Sequence, residues 1–170
     1  MSTPAANWIL DSSDWTLVKA RGGGKAGHLA RMQSVEGVHV PEFITLGQEA
    51  LLEFVEQNGL QPLVGQAGEP AARSVAVAAA FEHAVLPESI AAAIRDVLRL
   101  KGWEGEWLAV RSSGLDEDSA ENSFAGQFSS FLFQKGYDAV AQSIKRCWAS
   151  AYSERGLVYR QNRGLPSTRI

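Results

Sequence analysis

Three groups of residues carry chemistry in this sequence. The first is Val110-Arg111-Ser112-Ser113-Gly114, with Asp116, Glu117 and Asp118 close behind and Ser123-Phe124-Ala125-Gly126-Gln127 after them. A guanidinium offers several donors in a planar fork, the geometry that phosphate and carboxylate accept. Arg111 therefore reads either as an anion ligand or as the ion-pair partner of Asp116, Glu117 or Asp118. The second group is Arg21-Gly22-Gly23-Gly24-Lys25-Ala26-Gly27. Glycines allow tight backbone turns and close approach of a ligand. A glycine run entering a helix presents free N–H groups and the positive end of the dipole, with Lys25 adding a mobile charge. The third group is the isolated His28, His39 and His83 and the single Cys147, which are too few and too scattered for a metal site.

Two named patterns bear on the glycines. The P-loop pattern fails, because Lys25 precedes Ala26 rather than Ser or Thr and the earlier glycine is missing. The dinucleotide pattern G-x-G-x-x-G matches at Gly22, Gly24 and Gly27. It needs a βαβ unit and an acidic residue about 20 positions on. Glu42 and Glu49 lie near that distance, but Glu42 follows Pro41 in a strand-like segment. A glycine turn with no ligand is the remaining alternative.

Several elements must position these groups. Trp107 to Val110 is short and apolar and predicts a buried strand that delivers Arg111 at its end. Trp15 to Val18 predicts a short strand, with Trp8, Ile9 and Leu10 anchoring a loosely held start. A helix follows Lys25, with Ala26, Leu29 and Ala30 along one side. Val38 to Leu46 predicts a strand, and Pro41 assigns it to an edge or a strand start. Leu51, Phe54 and Val55 predict a helix at about 48–58 that stops at Asn58-Gly59. Residues 59–70 read as a loop and 71–82 as an alanine-rich helix. Pro87-Glu88 opens another, with Ile90, Ile94, Val97 and Leu98 on its apolar side and Lys101-Gly102 at its end. Phe128 to Phe133 reads as a strand with Phe131 and Phe133 on one face. Asp138 begins a long helix whose stripe is Val140, Ile144, Cys147, Trp148 and Ala151, which makes Cys147 a small core residue. Leu157, Val158 and Tyr159 predict a last helix, ended by Gly164 and Pro166.

The chain has 170 residues, enough for one domain with its own core. Hydrophobic residues make up 45% and charged residues 21%, with a net charge of −3, so nothing favours bulk binding to nucleic acid or anionic lipid. A single cysteine allows no internal disulfide and fits a reducing compartment. The start shows no signal peptide, and the longest apolar run, Val75 to Phe81, is far too short for a membrane span. A cytoplasmic location is the expectation.

In order along the chain, these blocks resemble the N-terminal nucleotide-binding domain of phosphoenolpyruvate synthases, pyruvate phosphate dikinases and rifampin phosphotransferases. The blocks are Gly23 to Ala26 opening a helix, Val38 to Leu46 with its internal proline, and Val110 through Glu117-Asp118 to Gln127. The segment from Ile144 to Ser153, with Arg155, Tyr159 and Arg160, is similar to the family's next stretch. The resemblance covers roughly residues 17–165. It implies an α+β fold, an ATP-grasp-type N-terminal lobe at 15–166, with 1–14 as an extension and 167–170 as a tail. It implies that Lys25 and Arg111 contact ATP phosphates and that Gly126 and Ser130 lie near the nucleotide. Gly114 stands where the family usually has Ala, and Ser130 where it usually has Thr.

The resemblance further implies ATP with Mg²⁺, the metal ligands lying outside this chain, and partners in a second lobe and a phosphohistidine domain supplied in cis or in trans. None of these fits between the last matched block and Ile170. The complete enzyme would turn ATP, water and an acceptor such as pyruvate into AMP, phosphate and a phosphorylated acceptor. This chain alone is expected to be inactive. A stand-alone module that binds a nucleotide or a partner without catalysis is the alternative, and an NAD-type domain the third.

Overall fold

The computed structural model describes residues 8–66, 68–114 and 129–164. These form eight helices and two two-stranded antiparallel sheets, an α+β fold. β1 (Ile9–Leu10) pairs with β2 (Thr45–Leu46), in register Ile9↔Leu46 and Leu10↔Thr45. Trp8 anchors the start as expected: its ring is buried and its Nε1 donates to Glu53 Oε2 at 3.2 Å.

Between these strands run α1 (Trp15–Gly22) and α2 (Gly24–Met32). The strand expected at Trp15 to Val18 is thus a helix. Asp14 caps it, its Oδ1 accepting from Leu17 N at 3.0 Å, and this N-cap outweighs the β-prone Trp-Thr-Leu-Val run. The expected strand over Val38 to Leu46 shrinks to Thr45 and Leu46, the stretch beyond Pro41 that finds a partner.

The body is helical. α3 (Gln48–Gln57) buries Leu51, Phe54 and Val55, and it stops where Gly59 turns with φ +62°. α4 (Gln61–Gly65) replaces part of the expected loop, with Pro62 in its first turn. α5 (Pro70–His83) is capped by Glu69, whose carboxylate accepts from Ala71 N and Ala72 N. α6 (Glu88–Leu100) buries Ile90, Ala91, Ile94 and Leu98, the helical spacing read from the sequence.

β3 (Leu108–Arg111) and β4 (Ser130–Gln134) form the second sheet. α7 (Gly136–Ser150) and α8 (Glu154–Arg163) close the fold, and Gly164 ends α8 in the left-handed conformation. α5 packs on α7 and α8, and α7 carries the β3–β4 hairpin. At the centre Phe54 meets Phe81 edge to face at 5.1 Å and Trp148 at 5.1 Å, and Phe81 meets Tyr152 at 5.7 Å. Such ring pairs add to the area they bury.

Candidate functional site

The site begins at the corner between α1 and α2. The three glycines join two helices rather than a strand to a helix, and both described sheets are antiparallel, so the dinucleotide-fold reading of Gly22, Gly24 and Gly27 fails. The glycines serve close packing instead. Gly23 has φ +89°, and a Cβ there would stand 2.6 Å from the carbonyl oxygens of both Ser113 and Gly114. At Gly27 a Cβ would fall 2.5 Å from Lys19 Cβ, where α1 crosses α2. Only residues without a side chain let this corner press onto the segment after β3.

Hydrogen bonds fasten the contact. Gly24 N donates to Gly114 O at 3.2 Å, and Ala26 N donates to Ser113 Oγ at 3.0 Å. The start of α2 is therefore not the free N-terminus expected from the sequence. A buried N–H must find an acceptor, and Ser113 and Gly114 supply them. Ser113 caps a helix 87 residues earlier in the chain, which no local pattern would show.

The hairpin supplies the second half. Arg111 ends β3 as expected, but β3 is not a buried strand. Leu108 and Val110 are half-buried, while Ala109 and Arg111 are exposed, because the sheet has one packed face and one open face. Arg111 and Ser130 are register partners across the sheet. Just past Arg111, Ser112 N and Oγ both donate to Ser129 O, at 3.3 and 3.2 Å. Beneath the hairpin the Cys147 thiol lies 3.7 Å from Ser129 O and 3.8 Å from Val110 O. Burial pushes that thiol up to about 12, so it stays a neutral donor through the physiological range. Ser129 N donates to Ser150 Oγ at 3.4 Å, and Ser150 Oγ in turn donates to Cys147 O at 2.7 Å. α7 thus holds the base of the hairpin through Cys147 and Ser150.

Of the four residues expected at the site, the structure makes Arg111 and Ser130 cross-strand neighbours, both exposed. Lys25 is exposed in the first turn of α2, one residue from the N–H that Ser113 accepts, so it is tied to the Arg111 strand through that contact. Gly126 lies outside the described residues, as do Asp116, Glu117 and Asp118. Sequence reasoning placed Ser112 and Ser113 in the motif without their packing roles and missed Ser129 and Ser150, because those roles depend on contacts distant in sequence.

Lys25, Arg111 and Ser130 are each exposed. Two grooves lie elsewhere. One, about 410 Å³, has Arg95, Arg99, Glu104 and Tyr137 in its wall, and the other, about 370 Å³, has Glu82, Lys145 and Ser153. Among the described residues no group of three or more His, Cys, Asp or Glu stands together as a metal site, and no single helix is long and apolar enough to cross a membrane. Chemically, exposed cations and a hydroxyl are the groups that suit an anion with several oxygens.

Comparison with known proteins bears on what that anion is. Residues 19–170 match the family described as pyruvate phosphate dikinase, AMP/ATP-binding domain. The chain is 34% identical over 165 residues to a rifampicin phosphotransferase of Streptomyces sviceus, covering 92% of this chain and 18% of the relative. It is 34% identical over 148 residues to the prodigiosin synthesizing transferase PigC of Serratia marcescens, covering 87% of this chain and 16% of the relative. A phosphoenolpyruvate synthase of Aeropyrum pernix is 33% identical over 154 residues, covering 82% of this chain and 19% of the relative. The chain spans less than a fifth of the length of each of these relatives.

Proposed function

The chain belongs to the pyruvate phosphate dikinase AMP/ATP-binding family, and from that premise we propose that it is the phosphate-holding N-terminal lobe of an ATP-grasp-type phosphotransferase. The observation that carries this reading is the docking of α2 on Ser113-Gly114 beside the Arg111–Ser130 pair. That docking joins the helix that carries Lys25 to the segment that follows Arg111, and so supports a reading in which the two cations, distant in sequence, act on one ligand. Lys25 acts as a point charge on the phosphates, Arg111 as a fork across two phosphate oxygens, and Ser130 as a hydroxyl donor. Gly126 belongs to the same site by its motif. Because the α2 N–H groups of Gly24 and Ala26 are engaged within the fold, recognition rests on these side chains more than on the helix end.

Relatives named for different products, rifampicin phosphotransferase, prodigiosin synthesizing transferase and phosphoenolpyruvate synthase, all match this segment. The segment then carries what they share, the nucleotide half of the reaction, and the acceptor is selected elsewhere. Mg²⁺ arrives with ATP, its protein ligands lying outside the described residues. In the whole enzyme the transfer runs through a phosphohistidine on a further domain, giving AMP, phosphate and a phosphorylated acceptor, in the cytoplasm. The chain by itself has no turnover.

Isothermal titration with ATP and Mg²⁺ tests the reading. Lys25→Ala and Arg111→Ala should each weaken binding about tenfold or more, the size of a lost hydrogen bond to a charged group. Variants that bind like the parent chain would overturn the assignment of these residues.

A further inference from the structure

α7 meets the β3–β4 hairpin with three polar side chains. Ser143, Cys147 and Ser150 stand at i, i+4 and i+7, the spacing that places residues along one side of a helix. Each bonds a different part of the hairpin. Ser143 is buried and donates its Oγ to Gln134 Oε1 at 2.7 Å, while Gln134 Nε2 donates to Leu132 O at 2.7 Å. Cys147 Sγ lies within 3.8 Å of both Val110 O and Ser129 O. Ser150 Oγ accepts from Ser129 N.

The two ends of the hairpin differ. At the far end the register breaks: Leu108 pairs with Gln134 and Val110 with Phe131, so β4 carries one extra residue, a bulge. Phe133 has φ +57° there. Phe131 and Phe133, expected on one face, are split, with Phe131 half-buried and Phe133 exposed. The Ser143–Gln134 pair pins β4 beyond that break.

At the near end, where Arg111 and Ser130 are register partners, the contacts converge on Ser129. Its carbonyl accepts from Ser112 N and Ser112 Oγ, and its N–H donates to Ser150 Oγ. A peptide unit is planar, so the Ser129 carbonyl lies in one plane with the Ser130 Cα, and Ser112 N in one plane with the Arg111 Cα. The bond from Ser112 N to Ser129 O therefore joins the two planes from which Arg111 and Ser130 project. Ser150 holds the peptide unit on the other side of Ser129, so both of its backbone dihedrals are tied down. The Ser150 hydroxyl proton goes to Cys147 O at 2.7 Å, which leaves its lone pairs for the Ser129 N–H. Ser129 and Ser150 are half-buried and line the groove of about 370 Å³, so this contact rests on the hydrogen bond more than on enclosing apolar packing.

We propose that Ser150 is a positioning residue for the phosphate site: its hydroxyl holds Ser129, and through Ser129 it orients Ser130 and Arg111 towards a bound anion. Ser143, on the same side of α7, holds the far end of the hairpin and takes no part in that orientation. The proposal rests on the phosphate site described above.

The test is calorimetric titration of ATP with Mg²⁺ into the parent chain, Arg111→Ala, Ser150→Ala, Ser150→Thr and Ser143→Ala, with the thermal midpoint of each. Ser150→Ala should weaken binding about three- to tenfold, the range of one neutral hydrogen bond. Ser150→Thr keeps the hydroxyl and should restore the parent affinity. Ser143→Ala leaves the buried Gln134 carbonyl short of its donor, so it should lower the thermal midpoint and bind ATP like the parent. Parent affinity in Ser150→Ala would overturn the positioning role. So would a loss of the same size in Ser143→Ala, or a loss that Ser150→Thr does not reverse. In each case weak binding by Arg111→Ala would leave the phosphate site standing. A parent chain that does not bind ATP, or an Arg111→Ala chain that binds like the parent, would overturn the phosphate site and this proposal with it.

Discussion

Phe54 and Phe81 meet edge to face with no exposure at all, whereas Arg111 and Ser130 pair across a short sheet and are both exposed. The helical centre fills its space with large rings contributed by α3, α5 and α7. The corner of α2 and the hairpin fills its space with glycines and serines, and it sends its large or charged side chains outward. In the centre, each residue's contribution is volume. At the corner it is a hydrogen bond or a missing Cβ. Substitutions should therefore separate the two regions: truncation hurts the centre, and addition hurts the corner.

The largest effect is expected at Phe54. Its replacement by Ala leaves a cavity among Phe81 and Trp148 and should cost about 3–5 kcal/mol of stability, measured by urea denaturation. A loss below about 1 kcal/mol would mean that the centre is loosely packed, and the contrast would collapse. This half of the molecule was legible beforehand. Leu51, Phe54 and Val55, or Ile90, Ile94 and Leu98, recur at helical spacing, and burial follows spacing wherever a helix has one packed face. The misreadings lay where a local cap or a distant partner decides. Asp14 makes a helix of Trp15 to Val18, and only Thr45 and Leu46 of the long apolar segment meet a second strand.

Next comes pH, which also acts on the centre. Burial raises Cys147 from 9.0 to about 12, and it raises Tyr152 from 10.0 to about 12 against the lowering pull of Arg160 and Arg73. Both groups are neutral acids kept neutral by the fold. Above pH 9 the unfolded chain loses these protons before the folded one does, so the folded state binds more protons and stability falls as pH rises. The contribution is fully present below about 9 and is lost on the way to about 12. Thermal midpoints should drop across that window, and less steeply in Cys147→Ala at the same pH values. The same burial should leave Cys147 unreactive towards iodoacetamide at pH 8 until the chain is unfolded.

At the corner, Gly23→Ala adds a methyl group where two carbonyl oxygens stand 2.6 Å away, in a backbone conformation that alanine resists. Stability should fall by about 1–3 kcal/mol. ATP binding should weaken with it, because α2 and Lys25 move off the Arg111 strand. A stable Gly23→Ala chain with parent affinity would show that the docking of α2 is incidental to the site. This half of the molecule was legible only as motif. The types and order of Gly23, Lys25, Arg111 and Ser113 marked a candidate site, and the structure makes Arg111 and Ser130 register partners and joins the Lys25 helix to the segment after Arg111. That the glycines serve packing rather than a ligand could not be read, because it depends on Ser113 and Gly114, far along the chain.

Ser113→Ala is the smallest and most discriminating change. It removes the oxygen that accepts from Ala26 N and leaves the backbone bond from Gly24 N to Gly114 O in place. The loss of a helix cap is worth about 1 kcal/mol, so the fold survives. If the cap only stabilises α2, affinity for ATP stays at the parent value and the thermal midpoint alone shifts. If it holds Lys25 in line with Arg111, affinity falls by several fold, and it falls no further when Lys25→Ala is added to the same chain. The double-mutant cycle read by titration separates these outcomes, because two residues that act through one contact are not additive. The geometry favours coupling. Lys25 is the residue before Ala26, and the hydroxyl that Ala26 N meets stands two residues past Arg111, so a bond of 3.0 Å joins the segments that carry the two cations.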